Sequence, residues 1–298
     1  MSATNSLNMA STTMCRVVIL GGGGQLAHAI MHVSSGVVGE YRALCRAEAD
    51  LCDAESMERV VAMADVVVNC AAYTNVEGAE DDYEGAYAVN SRGVEVLAKL
   101  CKRHGVRLIQ ISTDYVFGGD AERREPYAEQ DAVAPVNAYG RSKVDGERAV
   151  VEQGGVVIRT SWLYSPWCKN FCRTIFALSA TQHELRVVDD QRGVPTSALS
   201  LARFIVSVIE GDLLAKMYGI YHFTDSGEAS WYDFATEIVE LSGNHCKVLP
   251  CKSSERQMRA ERPSYSLLAT GRLKELDVTL RPWTEALGEV VEIIKKEL

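Results

Sequence analysis

The sequence lacks long apolar runs and an excess of basic residues. Its longest apolar pieces, such as residues 17–20, are far shorter than the about 20 residues that span a bilayer. The 31 basic residues are outnumbered by 40 acidic ones, and the formal net charge is -9. This balance disfavours non-specific attraction to nucleic acid or to an anionic membrane. We therefore expect a globular protein that binds neither.

Paired cysteine spacings of the kind that hold a metal are also missing. The nine cysteines are scattered singly, and their number is odd. Residues 1–14 are polar, without an apolar stretch or an early arginine, so neither a secretory signal nor a transit peptide is expected. We interpret residues 1–14 as a disordered tail, and we expect a cytoplasmic protein with reduced thiols and no metal.

Short β-branched runs alternate with helix-length segments through the first half of the chain. Strands are predicted at residues 16–20, 41–45, 65–70, 106–112 and 156–160. This alternation predicts an α/β fold with a doubly wound parallel sheet of the Rossmann type. After residue 161 the pattern is less regular, with strands predicted at 185–188 and 219–223 and helices at 197–209, 230–241 and 284–296.

We accordingly predict a Rossmann domain over residues 15–161, to which residues 195–218 return. Residues 162–194 and 219–298 are predicted to form a smaller C-terminal substrate-binding domain that shares an extensive interface with the first.

A glycine-rich turn follows the first predicted strand and leads into a helix. Gly21 and Gly24 match the first two positions of a GxxGxxG spacing, and Ala27 occupies the third. In this context the glycines let the backbone approach a pyrophosphate, which the helix N-terminus attracts. The alternative is a flexible turn without a ligand. The turn predicts a dinucleotide-binding site.

The end of the second strand discriminates between NADPH and NADH. No acidic residue occupies positions 43–46, and Arg46 could pair with a 2'-phosphate. Glu48 and Asp50 lie just beyond, and Arg46 could instead be a solvated surface residue. We expect NADPH as the coenzyme, with NADH less favoured.

Tyr139 and Lys143 lie four residues apart at the start of an amphipathic segment, and this spacing places them on one helix face. A lysine ammonium and an oxidised nicotinamide could together lower the pKa of the tyrosine. Ser112, Thr113 and Asp114 follow a predicted strand, at the edge where α/β sheets bind ligands. The two motifs together predict a site for hydride and proton transfer.

These motifs belong to a longer set of matches. The chain resembles the extended short-chain dehydrogenases/reductases and, within them, the dTDP-4-dehydrorhamnose reductase family. The matching strings are GGQLA (23–27), NCAAYTNVEGAE (69–80), AYAVN (86–90), STDYVFGG (112–119), APVNAYGRSK (134–143), RTSWLY (159–164), VVDDQRGVPT (187–196) and RPSYSLL (262–268).

The resemblance implies reduction of the C4 keto group of dTDP-4-dehydro-L-rhamnose to give dTDP-L-rhamnose. It implies that Tyr139 donates the proton, that Lys143 holds the nicotinamide ribose and that Thr113 bonds the carbonyl oxygen. The implied coenzyme-binding residues are Gly21, Gly24, Gln25, Leu26, Arg46, Asp53, Ala71, Ala72, Tyr73, Asn90 and Lys143, with Asn90 in a structural role. The implied substrate-binding residues are Thr113, Asp114, Tyr115, Trp162, Asn170, Gln191 and Arg262.

Two alternatives stay open at this point. The protein could reduce another nucleotide-linked 4-keto-6-deoxy sugar, or it could be a non-catalytic NADP-binding protein like the methionine adenosyltransferase regulatory subunit. The presence of Thr113 and Trp162 disfavours the second. Trp162 could also simply pack in a core. Some relatives carry a glutamate, implicated in metal-linked dimerisation, where this chain has Ala29. We therefore expect a monomer or a weak homodimer.

Overall fold

The computed structural model describes residues 14–211 and 213–297. The predicted disordered tail therefore lies outside the described residues, apart from Met14. The strands are β1 Arg16–Leu20, β2 Glu40–Leu44, β3 Val66–Asn69, β4 Arg107–Thr113, β5 Val156–Thr160, β6 Leu163–Tyr164, β7 Glu184–Val188, β8 Arg192–Gly193, β9 Thr196–Ser197, β10 Gly219–His222, β11 Ala229–Ser230 and β12 Lys247–Cys251.

The α-helices are α1 Gln25–Val33, α2 Ala54–Ala62, α3 Val76–Asp81, α4 Tyr83–Tyr87, α5 Val94–His104, α6 Ala138–Glu152, α7 Phe171–Ser179, α8 Ala198–Glu210, α9 Trp231–Ser242, α10 Gly271–Lys274 and α11 Trp283–Lys296. A π-helix, Ala88–Gly93, joins α4 to α5, and a short 3-10 helix, Asp114–Val116, follows β4.

A six-stranded parallel sheet in the order β10-β5-β4-β3-β1-β2 forms the centre of the molecule. Val17 and Ile19 on β1 pack into the cluster that contains the buried residues of α1 and α8. Val18 and Leu20 point the other way, into the cluster of α2 and α5. The strands are continuously apolar because helices cover both faces. The Rossmann-type doubly wound fold expected from the sequence is confirmed.

Strand β10 corrects the predicted division of the chain. The sequence placed residues 219–223 in the smaller domain, but Gly219–His222 pairs in parallel with Val156–Thr160 and is an edge strand of the main sheet. Helix α8 provides the crossover, since parallel neighbours need a connection of about a dozen residues or more. The return of the chain to the main sheet therefore extends through residue 222.

The rest of the C-terminal half packs on the carboxyl side of this sheet. Helix α9 contacts α7, α11 and the two-stranded parallel sheet of β7 and β12. Its buried residues Phe234 and Ile238 belong to the same apolar cluster as the main-sheet residues Ile109 and Ile158. The two parts of the chain thus share one continuous core. Among the described residues, no helix is long and apolar enough to cross a membrane.

Candidate active site

Two adjoining cavities open at the carboxyl ends of the central strands. The chain leaves β1 toward β2 on one side and returns to β3 on the other, and such a reversal creates a crevice. The first cavity, here called the glycine-turn cavity, has a volume of about 430 Å³. The second, the Tyr139 cavity, has a volume of about 370 Å³. Both are lined by Gly24, Cys70, Ala72 and Thr74, so they are contiguous.

The glycine turn is tightly packed against the end of β3. Gly21 has a φ of +79°, and a Cβ there would lie 2.7 Å from the Ala71 nitrogen, so a larger residue does not fit. The Gly24 nitrogen donates a 2.8 Å hydrogen bond to the Gly21 carbonyl, and α1 begins after Gly24 without a side-chain cap. The first amide groups of α1 are therefore available to a ligand.

Most of the predicted coenzyme residues line these cavities. The glycine-turn cavity is lined by Gly21, Gly24, Arg46, Ala71, Ala72 and Tyr73, and the Tyr139 cavity by Gln25, Leu26 and Lys143. The Arg46 side chain is 80% exposed, and its Nε lies 3.3 Å from Asp50 Oδ2. A phosphate could therefore reach it without breaking a buried contact.

Asp53 and Asn90 line neither cavity. Asp53 accepts a 3.0 Å hydrogen bond from the Glu55 nitrogen and caps α2. Its assignment to the coenzyme site stays a prediction. Asn90 lies in the π-helix, where its amide bonds both backbone groups of Tyr73 and donates to Ser142 Oγ. Asn90 thus ties the β3 loop to α6.

Tyr139 and Lys143 lie one turn apart at the start of α6. Asn137 caps this helix by accepting a 2.8 Å hydrogen bond from the Gly140 nitrogen. A Cβ at Gly140 would lie 2.1 Å from the Tyr115 carbonyl oxygen, so the glycine permits the close approach of α6 to the end of β4. Lys143 is buried, and its Nζ donates a 2.8 Å hydrogen bond to the Ile111 carbonyl on β4.

Burial governs the protonation of both side chains. Loss of solvent lowers the pKa of Lys143 to about 8, and Glu147 on the next turn opposes this shift. Burial raises the pKa of Tyr139 above its ordinary value, and a hydrogen bond with Thr113 opposes it. Lowering of the tyrosine pKa by Lys143 together with an oxidised nicotinamide, which the sequence suggested, stays a prediction for the coenzyme complex. At neutral pH Tyr139 is a neutral phenol, the form that a proton donor requires.

Thr113, Asp114 and Tyr115 form a compact group at the end of β4. Thr113 donates a 3.1 Å hydrogen bond to Asp114 Oδ1 and accepts one from the Tyr115 nitrogen. Ser266 donates to Asp114 Oδ2 at 2.6 Å, and burial raises the pKa of Asp114 to about 7. The Tyr115 ring meets the Tyr139 ring edge-on, with centroids 5.9 Å apart.

Trp162 forms part of the wall of the Tyr139 cavity, beyond the end of β5. Its ring stacks on Trp231 with centroids 3.7 Å apart and planes 10° from parallel. Trp231 in turn lines a third cavity of about 560 Å³, here called the Trp231 cavity. This third cavity is lined by Phe171, Ile175, Arg186, Val187, Val188, Gln191, Trp231, Arg256, Gln257, Met258 and Arg262.

The predicted substrate residues divide between these places. Gln191 and Arg262 line the Trp231 cavity, where Gln191 accepts a hydrogen bond from Trp231 Nε1 and Arg262 pairs with Glu77 at 2.8 Å. Asn170 lines none of the three cavities. Its amide caps α7 and bonds the carbonyls of Ser165 and Trp167. Its assignment as a direct ligand stays a prediction.

Sequence reasoning missed Trp231, Arg186 and Arg256. Trp231 follows a capping serine at the start of α9, Arg186 lies in β7, and Arg256 follows β12. Their side chains converge only in the folded chain. Within residues 14–211 and 213–297, no cluster of three or more His, Cys, Asp or Glu could hold a metal.

Comparison with known proteins agrees with this arrangement. The family model described as RmlD substrate binding domain matches residues 15–296. A dTDP-4-dehydrorhamnose reductase of Burkholderia thailandensis is 38% identical over 92% of this chain and 97% of its own. The crystal structure of the Clostridium acetobutylicum dTDP-4-dehydrorhamnose reductase superimposes with a TM-score of 0.88 at 38% identity, over 94% of this chain and 99% of that one.

A further crystal structure, of the Bacillus anthracis dTDP-4-dehydrorhamnose reductase in complex with NADP, superimposes with a TM-score of 0.87. Its sequence is 32% identical, over 93% of this chain and 99% of its own. A Rossmann sheet with a glycine turn, and a Tyr-Lys pair on α6 beside the end of β4, are the features of an extended short-chain dehydrogenase/reductase. Within that class, the chain belongs to the dTDP-4-dehydrorhamnose reductase family. The resemblance inferred from the sequence is confirmed.

Proposed function

We propose that the protein reduces the C4 keto group of dTDP-4-dehydro-L-rhamnose with NADPH and releases dTDP-L-rhamnose. One observation carries the proposal: Tyr139, Lys143 and Thr113 converge on a cavity that continues into the glycine turn. The named activity of the relatives and the NADP in the Bacillus anthracis structure support the same reaction.

The residues present fit the coenzyme. A side chain at Gly21 would collide with the Ala71 backbone, so the turn keeps the space that a pyrophosphate needs. Three residues that line the Tyr139 cavity carry buried polar atoms with no hydrogen-bond partner among the described residues, namely Gln25 Oε1, Ser112 Oγ and Thr160 Oγ1. Buried polar atoms are normally paired, so the lining of this cavity suits a polar ligand. When bound, NADPH supplies the hydride.

The chain itself supplies the acid and holds the carbonyl. The Tyr139 phenol donates its proton to the C4 oxygen, and Thr113 orients that oxygen by a hydrogen bond. Lys143 holds the nicotinamide ribose, and its positive charge stabilises the phenolate that Tyr139 leaves behind. Arg46 pairs with the 2'-phosphate of NADPH. Asn90 keeps Tyr73 and α6 in register and makes no direct contact with the coenzyme.

The nucleotide sugar spans the Tyr139 and Trp231 cavities. The Trp162 ring offers an apolar surface to the 6-deoxyhexose, and Asp114 and Tyr115 offer polar groups to its hydroxyls. Arg262 and Arg256 provide cations for the diphosphate. The Trp231 and Phe171 rings give the base an aromatic surface. Gln191 orients Trp231, and Asn170 shapes the loop beside the site.

The same proposal covers the organisation of the chain. Residues 15–161 and 195–222 bind the coenzyme, and most of the remainder binds the nucleotide sugar. We place the protein in the cytoplasm, because an odd number of singly scattered cysteines suits reduced thiols. We expect a monomer or a weak homodimer that binds neither nucleic acid nor membrane, consistent with the net charge of -9.

The experiment is a turnover assay. NADPH oxidation is followed with the dTDP-4-keto sugar, and the product is identified by mass and NMR. Tyr139→Phe should lower turnover by about 100-fold to 10,000-fold, as expected for a lost general acid, and should leave NADPH binding near native. Lys143→Met should impair both turnover and coenzyme binding, and Thr113→Val mainly turnover.

Each other result of this assay would lead to a different conclusion. Turnover only with a different nucleotide-linked 4-keto-6-deoxy sugar would retain the mechanism and replace the substrate. NADPH binding without turnover of any such sugar would favour the non-catalytic alternative. Full activity of Tyr139→Phe would remove Tyr139 from the acid role.

A further inference from the structure

Trp162 has an unusual backbone conformation. Its φ is +46°, in the left-handed region that a bulky side chain rarely adopts. Such a conformation costs free energy and persists only where the surrounding structure enforces it, most often at functional sites. The ring it places forms part of the Tyr139 cavity wall. What enforces the conformation therefore bears on the reaction.

Two neighbours confine the Trp162 ring. Trp231 stacks on it, with centroids 3.7 Å apart. At Gly193, an added Cβ would lie 2.5 Å from Trp162 Cε2 and 2.8 Å from its Nε1. Gly193 does not have a positive φ, so its backbone conformation does not require glycine. The close approach of the Trp162 ring does require it. The ring is held in a narrow slot.

Trp231 is itself fixed by contacts away from the slot. Its Nε1 donates a 3.1 Å hydrogen bond to Gln191 Oε1, and Gln191 Nε2 donates to Ser253 Oγ at 3.0 Å. The Phe171 ring packs on it at a tilt, with centroids 4.6 Å apart. Gln191, Phe171 and Trp231 all line the Trp231 cavity. The two stacked indoles therefore form a shared wall, with a different cavity on each ring.

We propose that Trp231 is a positioning residue that sets the plane of Trp162 and thereby determines which face of the keto sugar is reduced. The inference rests on the proposed function, in which Trp162 faces the sugar. In the reaction C4 accepts a hydride from NADPH, the carbonyl π electrons move to oxygen, and that oxygen takes the Tyr139 proton. A sugar turned over in the cavity would accept the hydride on its opposite face and give the C4 epimer.

The central variant is Trp231→Leu, which removes the stacked ring and keeps an apolar side chain. Because misplacement of a reacting group by about 1 Å can cost about 100-fold, we expect turnover to fall by about 10-fold to 100-fold. We expect a measurable share of the C4 epimer in the product by NMR. NADPH affinity should not change, since Trp231 lines neither coenzyme cavity. Trp231→Phe, which retains an aromatic ring, should restore a single epimer.

The matched control is Trp283→Leu. Trp283 is also partly buried and also packs against Phe234, but it makes no ring contact with Trp162. This variant should give a single epimer whatever its effect on stability. Gly193→Ala disturbs Trp162 through its second contact and should also release the epimer. It replaces Trp231→Leu if thermal melting shows that the latter does not fold.

The outcomes separate this inference from the proposed function. Wild-type protein that does not reduce the dTDP-4-keto sugar would overturn both. Wild-type turnover together with a single epimer from Trp231→Leu, or from Gly193→Ala in its place, would overturn the positioning role alone. Epimer formation by Trp231→Leu or Gly193→Ala, with none from Trp283→Leu, would support it, since general destabilisation does not invert a product.

Discussion

Arg159 on β5 and Glu147 on α6 form an ion pair that is closed to solvent. Their side chains are 2% and 5% exposed, and the Arg159 Nη2 to Glu147 Oε2 distance is 2.6 Å. Arg159 Nε donates a second hydrogen bond to Glu147 Oε1 at 2.9 Å. Burial and the guanidinium lower the pKa of the neighbouring His222 to about 3, so the histidine is neutral. The pair fixes the helix that carries Tyr139 to the sheet.

Arg159→Met should therefore be strongly destabilising. It leaves the Glu147 carboxylate buried without its partner, which typically costs about 3–5 kcal/mol. The control is Arg148→Met, which lies on α6 next to Glu147. Arg148 pairs with Asp145 at the surface, and loss of an exposed pair costs no more than about 1 kcal/mol. Denaturant unfolding measures both, and equal losses would contradict the prediction.

The buried carboxyl of Asp114 should make the fold less stable at higher pH. Burial raises the pKa of Asp114 in the folded protein to about 7, against its ordinary value of 3.8. The folded state therefore retains a proton that the unfolded state has lost, and stability falls as the pH rises from about 4 to about 7. Asp114→Asn removes this cost. Its Tm should exceed that of the wild type at about pH 8, and the gain should narrow toward about pH 5. A gain independent of pH would contradict this origin.

NADPH should bind less tightly at alkaline pH. The pKa of Lys143 is lowered by burial to about 8, so its positive charge is lost above that pH. NADPH fluorescence titrations from about pH 7 to about pH 9.5 should show Kd rising through this range. Tyr139→Phe should retain the trend and Lys143→Met should abolish it. Glu147 raises the pKa of Lys143, so Glu147→Gln should move the transition to lower pH.

Preference for NADPH over NADH should depend on Arg46. Loss of a charge-assisted contact with the 2'-phosphate is worth about 1.5–3 kcal/mol, so Arg46→Ala should reduce the ratio of the two kcat/KM values accordingly. Asp50→Asn should raise the ratio, because Asp50 now pairs with Arg46 and also lines the cavity. Arg42→Ala, an exposed change on β2, is the control. An unchanged ratio in Arg46→Ala would mean that Arg46 is a bystander.

Assembly and activity should be independent of magnesium. The position at which some relatives carry a glutamate is Ala29, which is fully buried in α1 and offers no ligand. We expect activity to survive EDTA. Sedimentation with and without magnesium should give the same mass, and a fall in mass on chelation would contradict this.

The local pattern of apolar residues predicted the bounds of the strands well, but it did not predict which strands pair. Strands β1 and β5 begin and end where their β-branched runs do, because each lies between two other strands of a sheet that helices cover on both faces. Strand β10 was placed in the wrong unit, since its short apolar run does not reveal its partner. The partner is β5, which lies on the far side of the α8 crossover.

The candidate site was also predicted only in part. Tyr139, Lys143 and the glycine turn were predictable because helix spacing and strand ends place them. The helix caps made by Asp53 and Asn170 were not predicted, since each depends on a hydrogen bond to a nearby backbone amide that residue type alone does not specify. The pKa of Tyr139 depends on burial, which the sequence does not specify.

The position of β10 also has a consequence for the order in which the chain is synthesised. Strand β5 is complete at Thr160, but its outer neighbour ends at His222, some sixty residues later. Until β10 is synthesised, the amide and carbonyl groups on the outer edge of β5 have no strand to pair with, and apolar side chains flank them. Such an edge is a template for strand exchange between chains. We therefore expect pairing between incomplete chains at the β5 edge until α8 and β10 have been synthesised.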